Sequence, residues 1–462
     1  MTDMFDELHE ECGVFGCYRV PDAASITYYG LHSLQHRGQE ASGMAVWDGE
    51  GIRVFKGKGL TVDVFQKENL DHLPGDLSIG HVRYSTAGGQ ERENIQPIAA
   101  RGHKGHVAIA HNGQIVNDKE LRLELENQGC IFQGTSDSEV LLHLIMKESG
   151  PLEERIAKAA ARCVGAFSFL VIDGDDLYAV RDRWGLRPLS YVKYDSGYCV
   201  SSETCAFEVM GVYGHTDVKP GEMVRFHKGL VTKKQYASPN PHMCAMEYIY
   251  FARPDSEIEG MNVHDFRRRT GEVLAQKDRE AGFEADIVIG VPDSSLSAAI
   301  GYAEVSGLPY EMGLVKNRFV SRTFIQPTQA LRDRGVRMKL SPVEDVIRDK
   351  SVVLIDDSIV RGTTSRRIVR LLKDAGAKEV HVRIASPIIT NPCFYGIDTS
   401  TREELIGSSK SCQEIEEYIE ADSLRFMETE DLEKVYPHGL CTACFDGKYC
   451  TPLFSHEESL TE

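Results

Sequence analysis

The sequence lacks any run of about 20 apolar residues, the length that a membrane-spanning helix needs. Its first residues, MTDMFDELHEE, are acidic and lack the apolar segment of a secretory signal. There is also no surplus of positive charge, because 52 basic and 70 acidic residues give a formal net charge of −18. These absences argue against a membrane protein and against broad nucleic-acid binding, and we expect a cytoplasmic protein.

The chain also shows no internal repeat and no low-complexity segment, which argues against a repeat or fibrous architecture. Its 12 cysteines do not suggest a disulfide framework, because the chain is long and carries no secretory signal. With 42% hydrophobic residues the composition is that of an ordinary globular protein. A chain of 462 residues is too long for one ordinary core, so we expect two domains.

The first half, up to about residue 235, has the pattern of a strand-rich α+β domain. CGVFGCYRV predicts a strand that begins at Cys12, and ASGMAVWDGEGIRVFKG predicts a hairpin. Helical spacing of apolar residues predicts a helix over Ala24–Gln35. SDSEVLLHLIMKE predicts another helix, with Ser136 or Asp137 as its N-cap.

A polar, proline-containing stretch, YASPNPH at residues 236–242, marks the passage to a second domain. Beyond it the apolar segments ADIVIGVP, SVVLIDDS and EVHVRIASPII each predict a buried strand. They alternate with the predicted helices SSLSAAIGYAEVSG and TTSRRIVRLLKDAGAK, the second of which is expected to end at Gly376. Strands that alternate with helices predict a parallel α/β sheet.

The strongest local signal is VVLIDDSIVRGTTS, residues 352–365. An apolar strand delivers Asp356 and Asp357 to its carboxyl edge, and a turn with Gly362 and several hydroxyls precedes a helix. A helix N-terminus is a good seat for a phosphate, and two carboxylates can bind a sugar diol or Mg²⁺. For the two acids alone, a simple strand-to-helix turn with an aspartate cap is the alternative.

The whole segment resembles the phosphoribosyl diphosphate motif of type I phosphoribosyltransferases. The resemblance assigns Asp356 and Asp357 to the ribose hydroxyls and the metal. It assigns the turn GVPDSS to the diphosphate and, within that turn, Ser294 to Mg²⁺. The residues it assigns to the 5-phosphate are Ser358, Ile359, Val360, Arg361, Gly362, Thr363 and Thr364.

A run rich in basic residues, 316–340, stands out in this acidic chain. Its Lys316, Arg322 and Lys339 suit a flap that closes over a diphosphate leaving group and neutralises its charge. A solvated loop is the alternative, because charged runs usually face water.

Cys12 is a candidate nucleophile, because a cysteine at a mature N-terminus carries its own base. The free α-amino group has an ordinary pKa of about 8 and can accept the thiol proton. For an isolated cysteine, a small buried core residue is the simpler interpretation. The surrounding sequence favours the nucleophile, as the next segments show.

YGLHSLQHRGQEASG, GHVRYSTAG, AHNGQIVN and GTSDSEV follow CGVFG in that order and together resemble the glutaminase domain of N-terminal-nucleophile amidotransferases. The resemblance implies that Asn112 and Gly113 stabilise the oxyanion. It also implies that Arg83 pairs with the glutamine α-carboxylate, that Asp137 holds the α-ammonium group, and that Arg37 lies in a loop that covers the site. It requires removal of residues 1–11 as a propeptide, and we expect this removal to be autocatalytic.

The order of the two domains resembles the amidophosphoribosyltransferase family. The resemblance implies a propeptide (1–11), a layered αββα glutaminase domain (12–235), a parallel-sheet phosphoribosyltransferase domain (255–400) and a C-terminal region (401–462). Its reaction converts phosphoribosyl diphosphate, glutamine and water to 5-phosphoribosylamine, glutamate and diphosphate, with ammonia passing inside the protein. Purine nucleotide inhibition and a homotetramer are further implications.

Cysteines near the end of the chain indicate a metal centre. GLCTACFDGKYC places Cys441 and Cys444 in a C-x-x-C pair, and such pairs serve redox chemistry, zinc or iron–sulfur clusters. The family branch with a 4Fe–4S cluster implies Cys244 and Cys393 as the other two ligands. Zinc remains an alternative, and Cys450 is either a substitute ligand or, as we favour, a bystander.

Two other functions compete with this one. A glutaminase coupled to another acceptor, as in glucosamine-phosphate or asparagine synthesis, is disfavoured by DDSIVRGTTS, which indicates a phosphoribosyl group. A non-catalytic nucleotide sensor with an inert glutaminase is disfavoured by the intact set of Cys12, Arg83, Asn112, Gly113 and Asp137. Glutamate release that phosphoribosyl diphosphate stimulates would separate the amidotransferase from the sensor.

Overall fold

The computed structural model describes residues 12–84, 91–103, 105–317, 340–399 and 401–456. The strands of the first domain are β1 (Gly13–Tyr18), β2 (Ala41–Trp47), β3 (Ile52–Lys58), β4 (Leu77–Arg83), β5 (Ile98–Gly102), β6 (Gly105–Ile115), β7 (Gly165–Asp173), β8 (Asp176–Arg181), β9 (Ser190–Tyr194), β10 (Gly197–Ser201), β11 (Thr216–Asp217), β12 (Glu222–His227) and β13 (Leu230–Gln235). Its helices are α1 (Ala23–Ser33), α2 (Thr61–Val64), α3 (Lys67–Leu70), α4 (Asp118–Asn127), α5 (Asp137–Lys147), α6 (Leu152–Arg162) and α7 (Cys205–Glu208).

These strands form two antiparallel sheets that face each other. One has the order β11-β9-β10-β1-β4-β2-β3, and the other has the order β13-β12-β8-β7-β6-β5. A buried core between them unites side chains of both sheets. The helices α1 and α7 cover the outer face of the first sheet, and α4, α5 and α6 cover that of the second. The first domain is therefore the layered αββα structure that the sequence predicts.

Alternation along β1 explains why this strand lies at the centre of its sheet. Val14 and Tyr18 point into the core between the sheets, whereas Phe15 and Cys17 point to the helices outside. A strand that is apolar on both faces is most stable where both faces are covered, as they are at the centre of a sheet. The two edges of β1 are paired there as well, one with β10 and the other with β4. The start of this strand carries Cys12.

The second domain is built on a different plan. Its strands are β14 (Met243–Cys244), β15 (Glu257–Ile258), β16 (Met261–Asn262), β17 (Ile287–Gly290), β18 (Leu314–Lys316), β19 (Leu340–Pro342), β20 (Ser351–Asp356), β21 (Glu379–Ile384), β22 (Ser423–Phe426) and β23 (Leu440–Cys441). Its α-helices are α8 (Val263–Glu280), α9 (Leu296–Ser306), α10 (Glu344–Ile347), α11 (Thr363–Asp374), α12 (Ile406–Ser409), α13 (Cys412–Ile419), α14 (Thr429–Val435) and α15 (Ala443–Asp446).

The central sheet of this domain is parallel, with the order β17-β20-β21-β22. Separate apolar cores cover its two faces, one with α8 and α9 and the other with α11 and α13. The predicted alternation of strands and helices is confirmed, and α11 ends at Asp374, two residues before the predicted Gly376. The sheet continues past residue 400, because β22 is its edge strand.

Two short elements join the domains. After β13 the chain crosses residues 236–242, and β14 then pairs in parallel with β23 from near residue 440. One turn of π-helix, Glu247–Phe251, follows β14 and leads toward α8. None of the helices in the described ranges combines the length and hydropathy that a bilayer crossing needs.

Candidate active site

Cys12 directly precedes β1, the central strand of the first sheet. Its thiol donates a hydrogen bond to the Tyr84 carbonyl at 3.5 Å, and its own carbonyl accepts one from Arg37 Nε at 3.1 Å. Gly13 pairs with Val82 across the ladder between β1 and β4. By the same register Cys12, the residue before Gly13, lies opposite Arg83. The predicted propeptide, residues 1–11, lies outside the described residues.

The Asn112–Gly113 pair lies inside β6, so it is not a hairpin turn. Gly113 has φ 133°, and a Cβ added there would lie 2.1 Å from the Ala166 carbonyl oxygen. Only glycine can hold this backbone conformation in so close an approach to the neighbouring strand. Asn112 is fully buried, and its Nδ2 donates to Ser202 Oγ at 3.4 Å.

Asp137 is the first residue of α5, and Ser136, not Asp137, is the N-cap. The Ser136 hydroxyl accepts from the Ser138 amide at 3.2 Å, which leaves the Asp137 carboxylate available for other contacts. Its Oδ2 accepts from the Ile115 amide at 2.9 Å, two residues beyond Gly113. The fold therefore brings the predicted ammonium-binding carboxylate to the strand that carries the predicted oxyanion donors.

Arg37 is not presented to solvent on a loop but is buried in a network of charges. Its guanidinium donates to Glu247 through both terminal nitrogens, at 2.9 and 2.7 Å, and to Glu203 at 2.6 Å. All three side chains are fully buried. In the structure Arg37 therefore holds the carbonyl of Cys12 on one side and two carboxylates on the other.

Glu247 belongs to the π-helical turn that leads into the second domain, so this network joins the two domains. Arg187 reaches the same carboxylate at 3.4 Å, and its other terminal nitrogen donates to the Tyr395 carbonyl at 2.5 Å. Gly396, the next residue, approaches the backbone of Gly113. Segments from both domains thus meet at the residues predicted to process glutamine.

The network also fixes the charge of Glu203. Burial alone would raise the pKa of this carboxyl, but His36 and Arg37 lower it, and the net result lies well below the ordinary value. Its second oxygen accepts from the Arg253 amide at 2.9 Å and the Ser256 hydroxyl at 2.8 Å. The carboxylate is therefore ionised and saturated with donors.

Four further residues of this region, Glu203, Glu247, Arg187 and Ser202, were not predicted. Glu247 sits in MEYIYF, where a single acid interrupts a run of apolar residues. An acid in such surroundings is buried only when it is paired, so the apolar context of Glu247 could have identified it as a buried, paired residue. Its partner lies 210 residues away, and no local pattern identifies it.

The second candidate site lies at the carboxyl edge of β20. Asp356 ends this strand and Asp357 follows, and both are buried. Ser295 donates to Asp356 at 3.1 Å, Ser358 donates to Asp357 at 2.8 Å, and Ser294 donates to the other oxygen of Asp357. Two strand-end turns, from β17 and β20, thus converge on the two acids, as parallel sheets arrange their ligand sites.

The turn after these acids leads directly into α11. Gly362 has φ 78° and is the N-cap, so Thr363 and Thr364 form the first turn of a 12-residue helix. Ile359 and Val360 are buried and anchor the turn, and the guanidinium of Arg361 donates to Glu404 at 3.0 Å. The first amides and hydroxyls of α11 therefore follow the two acids within one strand-to-helix turn, an order that suits a phosphate site.

Of the predicted flap, only its beginning can be placed. Lys316 is exposed, and its Nζ lies 3.2 Å from Asp293 in the turn after β17. Arg322 and Lys339 lie outside the described residues. Lys316 is thus near the turn that the resemblance assigns to the diphosphate.

The four predicted cluster ligands come together from distant parts of the chain. Cys244 and Cys441 are paired in register across β14 and β23, and Cys444 lies in α15. Burial raises the pKa of Cys444 well above the ordinary thiol value, and Cys244, Cys393 and Cys441 raise it further. Burial likewise raises the pKa of Cys393 to about 11.

Cys450 is also a neighbour of this group. A hydrogen bond between the Cys441 and Cys450 thiols is the largest cause that raises the pKa of Cys441. The Cys450 thiol also donates to the Tyr395 hydroxyl at 3.6 Å. In the described ranges, no three histidine, cysteine, aspartate or glutamate side chains are arranged to hold a metal ion. The thiols therefore supply the chemistry of a cluster site without its finished geometry.

Two family models match separate parts of the chain. The model described as a glutamine amidotransferase domain matches residues 81–209, and the one described as a phosphoribosyl transferase domain matches residues 261–415. The first match covers Arg83, Asn112 and Asp137, and the second covers both acids at the end of β20. The two matches follow the order of the two domains in the structure.

Full-length relatives match as well. The chain is 53% identical to the amidophosphoribosyltransferase of Bacillus subtilis over 97% of its length and 95% of the relative's, and 49% identical to that of Staphylococcus aureus over 98% and 93%. Among solved structures, a Bacillus subtilis glutamine phosphoribosylpyrophosphate amidotransferase complexed with ADP and GMP has a TM-score of 0.90 at 52% identity, covering 96% of this chain and 98% of that one. A structure described as the allosteric regulatory enzyme of purine biosynthesis has a TM-score of 0.91 at 51% identity, covering 98% and 100%.

The buried network predicts a large effect of Glu247→Ala on stability. The substitution leaves the Arg37 guanidinium buried without its bidentate partner, so we expect a loss of about 3–5 kcal/mol in the free energy of unfolding. Glu304→Ala is the matched control, because Glu304 pairs with Arg268 at 2.7 Å on the exposed surface. That variant should lose no more than about 1 kcal/mol. Denaturant unfolding measures both, and equal losses would contradict the assigned importance of the network.

Proposed function

Because the chain belongs to the amidophosphoribosyltransferase family, we propose that Cys12 releases ammonia from glutamine and that Asp356 and Asp357 bind the phosphoribosyl acceptor. The enzyme is a glutamine amidotransferase and a pentosyltransferase of purine biosynthesis. One observation supports the residue assignment most directly: Cys12 starts the central strand opposite Arg83, and the Arg37 network ties it to the second domain.

In the glutamine half-reaction, Cys12 attacks the side-chain amide of glutamine, ammonia leaves, and water hydrolyses the resulting thioester to glutamate and the free thiol. Its own α-amino group, once free, accepts the thiol proton and returns it to the leaving ammonia. Arg83 binds the α-carboxylate of glutamine and Asp137 binds its α-ammonium group. The Gly113 amide and the Asn112 side chain donate to the oxyanion of the tetrahedral intermediate. Arg37 keeps the carbonyl of Cys12 in place throughout.

In the acceptor half-reaction, Asp356 and Asp357 accept hydrogen bonds from the ribose hydroxyls. The first turn of α11 binds the 5-phosphate through its amides and the hydroxyls of Thr363 and Thr364. Two buried carboxylates and the Ser294 hydroxyl are oxygen donors of the kind that Mg²⁺ prefers, and when bound the ion would neutralise charge on the diphosphate. Lys316 lies near the turn assigned to the diphosphate, and its positive charge would act on the diphosphate in the same way as the ion.

We place the passage of ammonia along the segment that joins the two sites. This segment begins at Glu247, in the Arg37 network, and runs to Ser256, which donates to Glu203. Arg267, on α8, is buried, and its charge interacts with Asp357 of one site and Glu203 of the other. Burial lowers the pKa of Arg267 to about 10, while these two carboxylates raise it. Both sites therefore contribute to one electrostatic environment.

Replacement of the nucleophile should separate the two activities. Cys12→Ala should abolish glutamine-dependent synthesis of 5-phosphoribosylamine but leave ammonia-dependent synthesis, because the acceptor site is distinct. The matched control is Cys17→Ala, which changes a buried thiol of the same strand and should keep both activities. Loss of both activities in Cys12→Ala would contradict the separation of the sites.

The same variant tests maturation. Intact mass of the active wild-type enzyme should correspond to a chain that begins at Cys12, because only a free amine can act as the base. If the chain removes its own leader, Cys12→Ala should retain residues 1–11. Fully active enzyme that still carries these residues would rule out the proposed nucleophile.

Replacement of an acceptor carboxylate should have the opposite pattern. Asp357→Ala should lower both glutamine-dependent and ammonia-dependent synthesis by at least about 10²-fold, because each route ends at the same phosphoribosyl group. Asp345→Ala, an exposed acid on α10, is the control and should leave both rates unchanged. Ammonia-dependent turnover that survives in Asp357→Ala would show that the diol assignment is wrong.

We further propose that Cys244, Cys393, Cys441 and Cys444 hold a 4Fe–4S cluster. Cys244, Cys393 and Cys444 belong to or pack against one apolar core, and Cys441 pairs with Cys244 across β14 and β23. Thiols are suitable soft ligands, and the cluster would tie these two strands to the loop at Cys393. Four thiolates also suit zinc, which is the alternative. Nothing in the reaction needs electron transfer, so the cluster would serve structure or oxygen sensing.

Metal content decides between these alternatives. Anaerobically purified enzyme should contain iron and acid-labile sulfide in equal amounts, and Cys393→Ser should lose both. Cys130→Ser, which changes a half-buried cysteine of the first domain, should keep them, as should Cys450→Ser if Cys450 is a bystander. Zinc without sulfide would favour the alternative centre, and loss of iron in Cys450→Ser would make Cys450 a ligand.

A relative supports regulation by purine nucleotides, because the Bacillus subtilis structure is a complex with ADP and GMP. We propose that this chain binds the same classes of nucleotide and, as the family resemblance implies, assembles as a homotetramer. Calorimetric titration with ADP and GMP measures the first property, and sedimentation velocity measures the second.

A further inference from the structure

The amide of Asn112 is only half satisfied. Its Nδ2 donates to Ser202 Oγ at 3.4 Å, whereas its Oδ1 is buried and accepts no hydrogen bond from any described residue. A buried carbonyl oxygen without a donor is unfavourable. An oxygen facing the site would also repel the oxyanion that Asn112 is proposed to stabilise.

Ser202 occupies a position between the two sheets. Its amide donates to the Val14 carbonyl at 3.0 Å, and its Oγ accepts from the Val14 amide, also at 3.0 Å. Val14 lies two residues after Cys12 on β1, whereas Asn112 lies on β6. One serine therefore links the strand of the nucleophile to the strand of the oxyanion donors.

A half-turn of the Asn112 amide about its Cβ–Cγ bond resolves the imbalance. The Ser202 oxygen accepts from Val14, and a hydroxyl still has one proton to donate. After the half-turn, Oδ1 accepts this proton and Nδ2 takes the place that Oδ1 held. The buried oxygen is then satisfied, and the amide presents a donor where it had presented an acceptor.

We propose that Ser202 is a positioning residue that fixes the Asn112 amide with its NH₂ group toward the oxyanion. The proposal rests on the proposed function, because the oxyanion role of Asn112 is part of it. Ser202 touches neither substrate nor reacting atoms, and it acts through the orientation of its neighbour. Its effect is confined to the glutamine half-reaction.

The central test is Ser202→Ala in the full-length enzyme. Without the hydroxyl proton the amide loses its orientation, so kcat for glutamine hydrolysis should fall about 10-fold, less than the ~10²–10³-fold cost of losing an oxyanion donor. KM for glutamine should stay within about 2-fold, because the missing interaction belongs to the transition state. Ammonia-dependent synthesis should not change.

The neighbouring serine supplies the matched control. Ser201 is equally buried, but its hydroxyl accepts from the Glu203 amide at 3.2 Å instead of meeting Asn112. Ser201→Ala should therefore leave kcat for glutamine near the wild-type value. Equal losses in the two variants would overturn the proposal, because they would reflect general disturbance of β10 and the turn that follows.

A second measurement separates positioning from a purely structural role. Iodoacetamide alkylates a thiol by direct substitution, with no tetrahedral oxyanion, so the rate at which it modifies Cys12 should be the same in Ser202→Ala and wild type. A change of alkylation rate in parallel with kcat would show that the loss of the Val14 contact has moved the nucleophile, and the proposal would fail.

A double-mutant cycle completes the test. Asn112→Ala should lower kcat, and Ser202→Ala should then add no more than about a further 2-fold, because the amide it orients is gone. Independent losses that multiply would overturn the proposal. If Asn112→Ala keeps full kcat, the oxyanion assignment is wrong, and the positioning role of Ser202 is wrong as well. If Asn112→Ala loses activity and Ser202→Ala does not, only the positioning role is refuted.

Discussion

The structure depends on the ion network around Arg37. Two arginines and two glutamates, Arg37, Arg187, Glu203 and Glu247, are buried together, and their charges balance. Such a network is stable only when every member is present, because each charge without a partner would be costly to keep from water. Since one arginine holds the carbonyl of Cys12 and one glutamate belongs to the second domain, the geometry at Cys12 is inseparable from the docking of the two domains.

The two candidate sites bring together residues that are distant in the chain, and they do so with different secondary structure. In the first domain, antiparallel strands of two facing sheets carry Val14 and Asn112, and Ser202 bridges these two residues through hydrogen bonds. In the second domain, parallel strands end at one edge, where Asp356 and Asp357 meet the start of α11. The first arrangement suits a fixed nucleophile with fixed donors, and the second suits a charged substrate that arrives from solvent.

Local signals in the sequence predicted the strands and the helices of both domains well. The strand at residues 351–356, the turn at Gly362 and the cap at Ser136 follow from rules that span only a few residues. The contacts that hold the sites in place were not predictable, because they join residues far apart in the chain. Glu247 and its arginine partner illustrate this limit, as does the location of Cys450 beside Cys441, which spacing alone does not reveal.

The parallel pairing of β14 with β23 has a consequence for biosynthesis. Met243 and Cys244 leave the ribosome long before Leu440 and Cys441, yet they are neighbours in the folded chain. The segment that carries Glu247 directly follows β14, so it gains its final support only after nearly 200 more residues have been translated. The glutaminase domain can therefore collapse early during synthesis, but the network that holds the carbonyl of Cys12 is complete only after translation has passed Cys441. Such a delay would keep a reactive thiol from working in a nascent chain that has no acceptor domain.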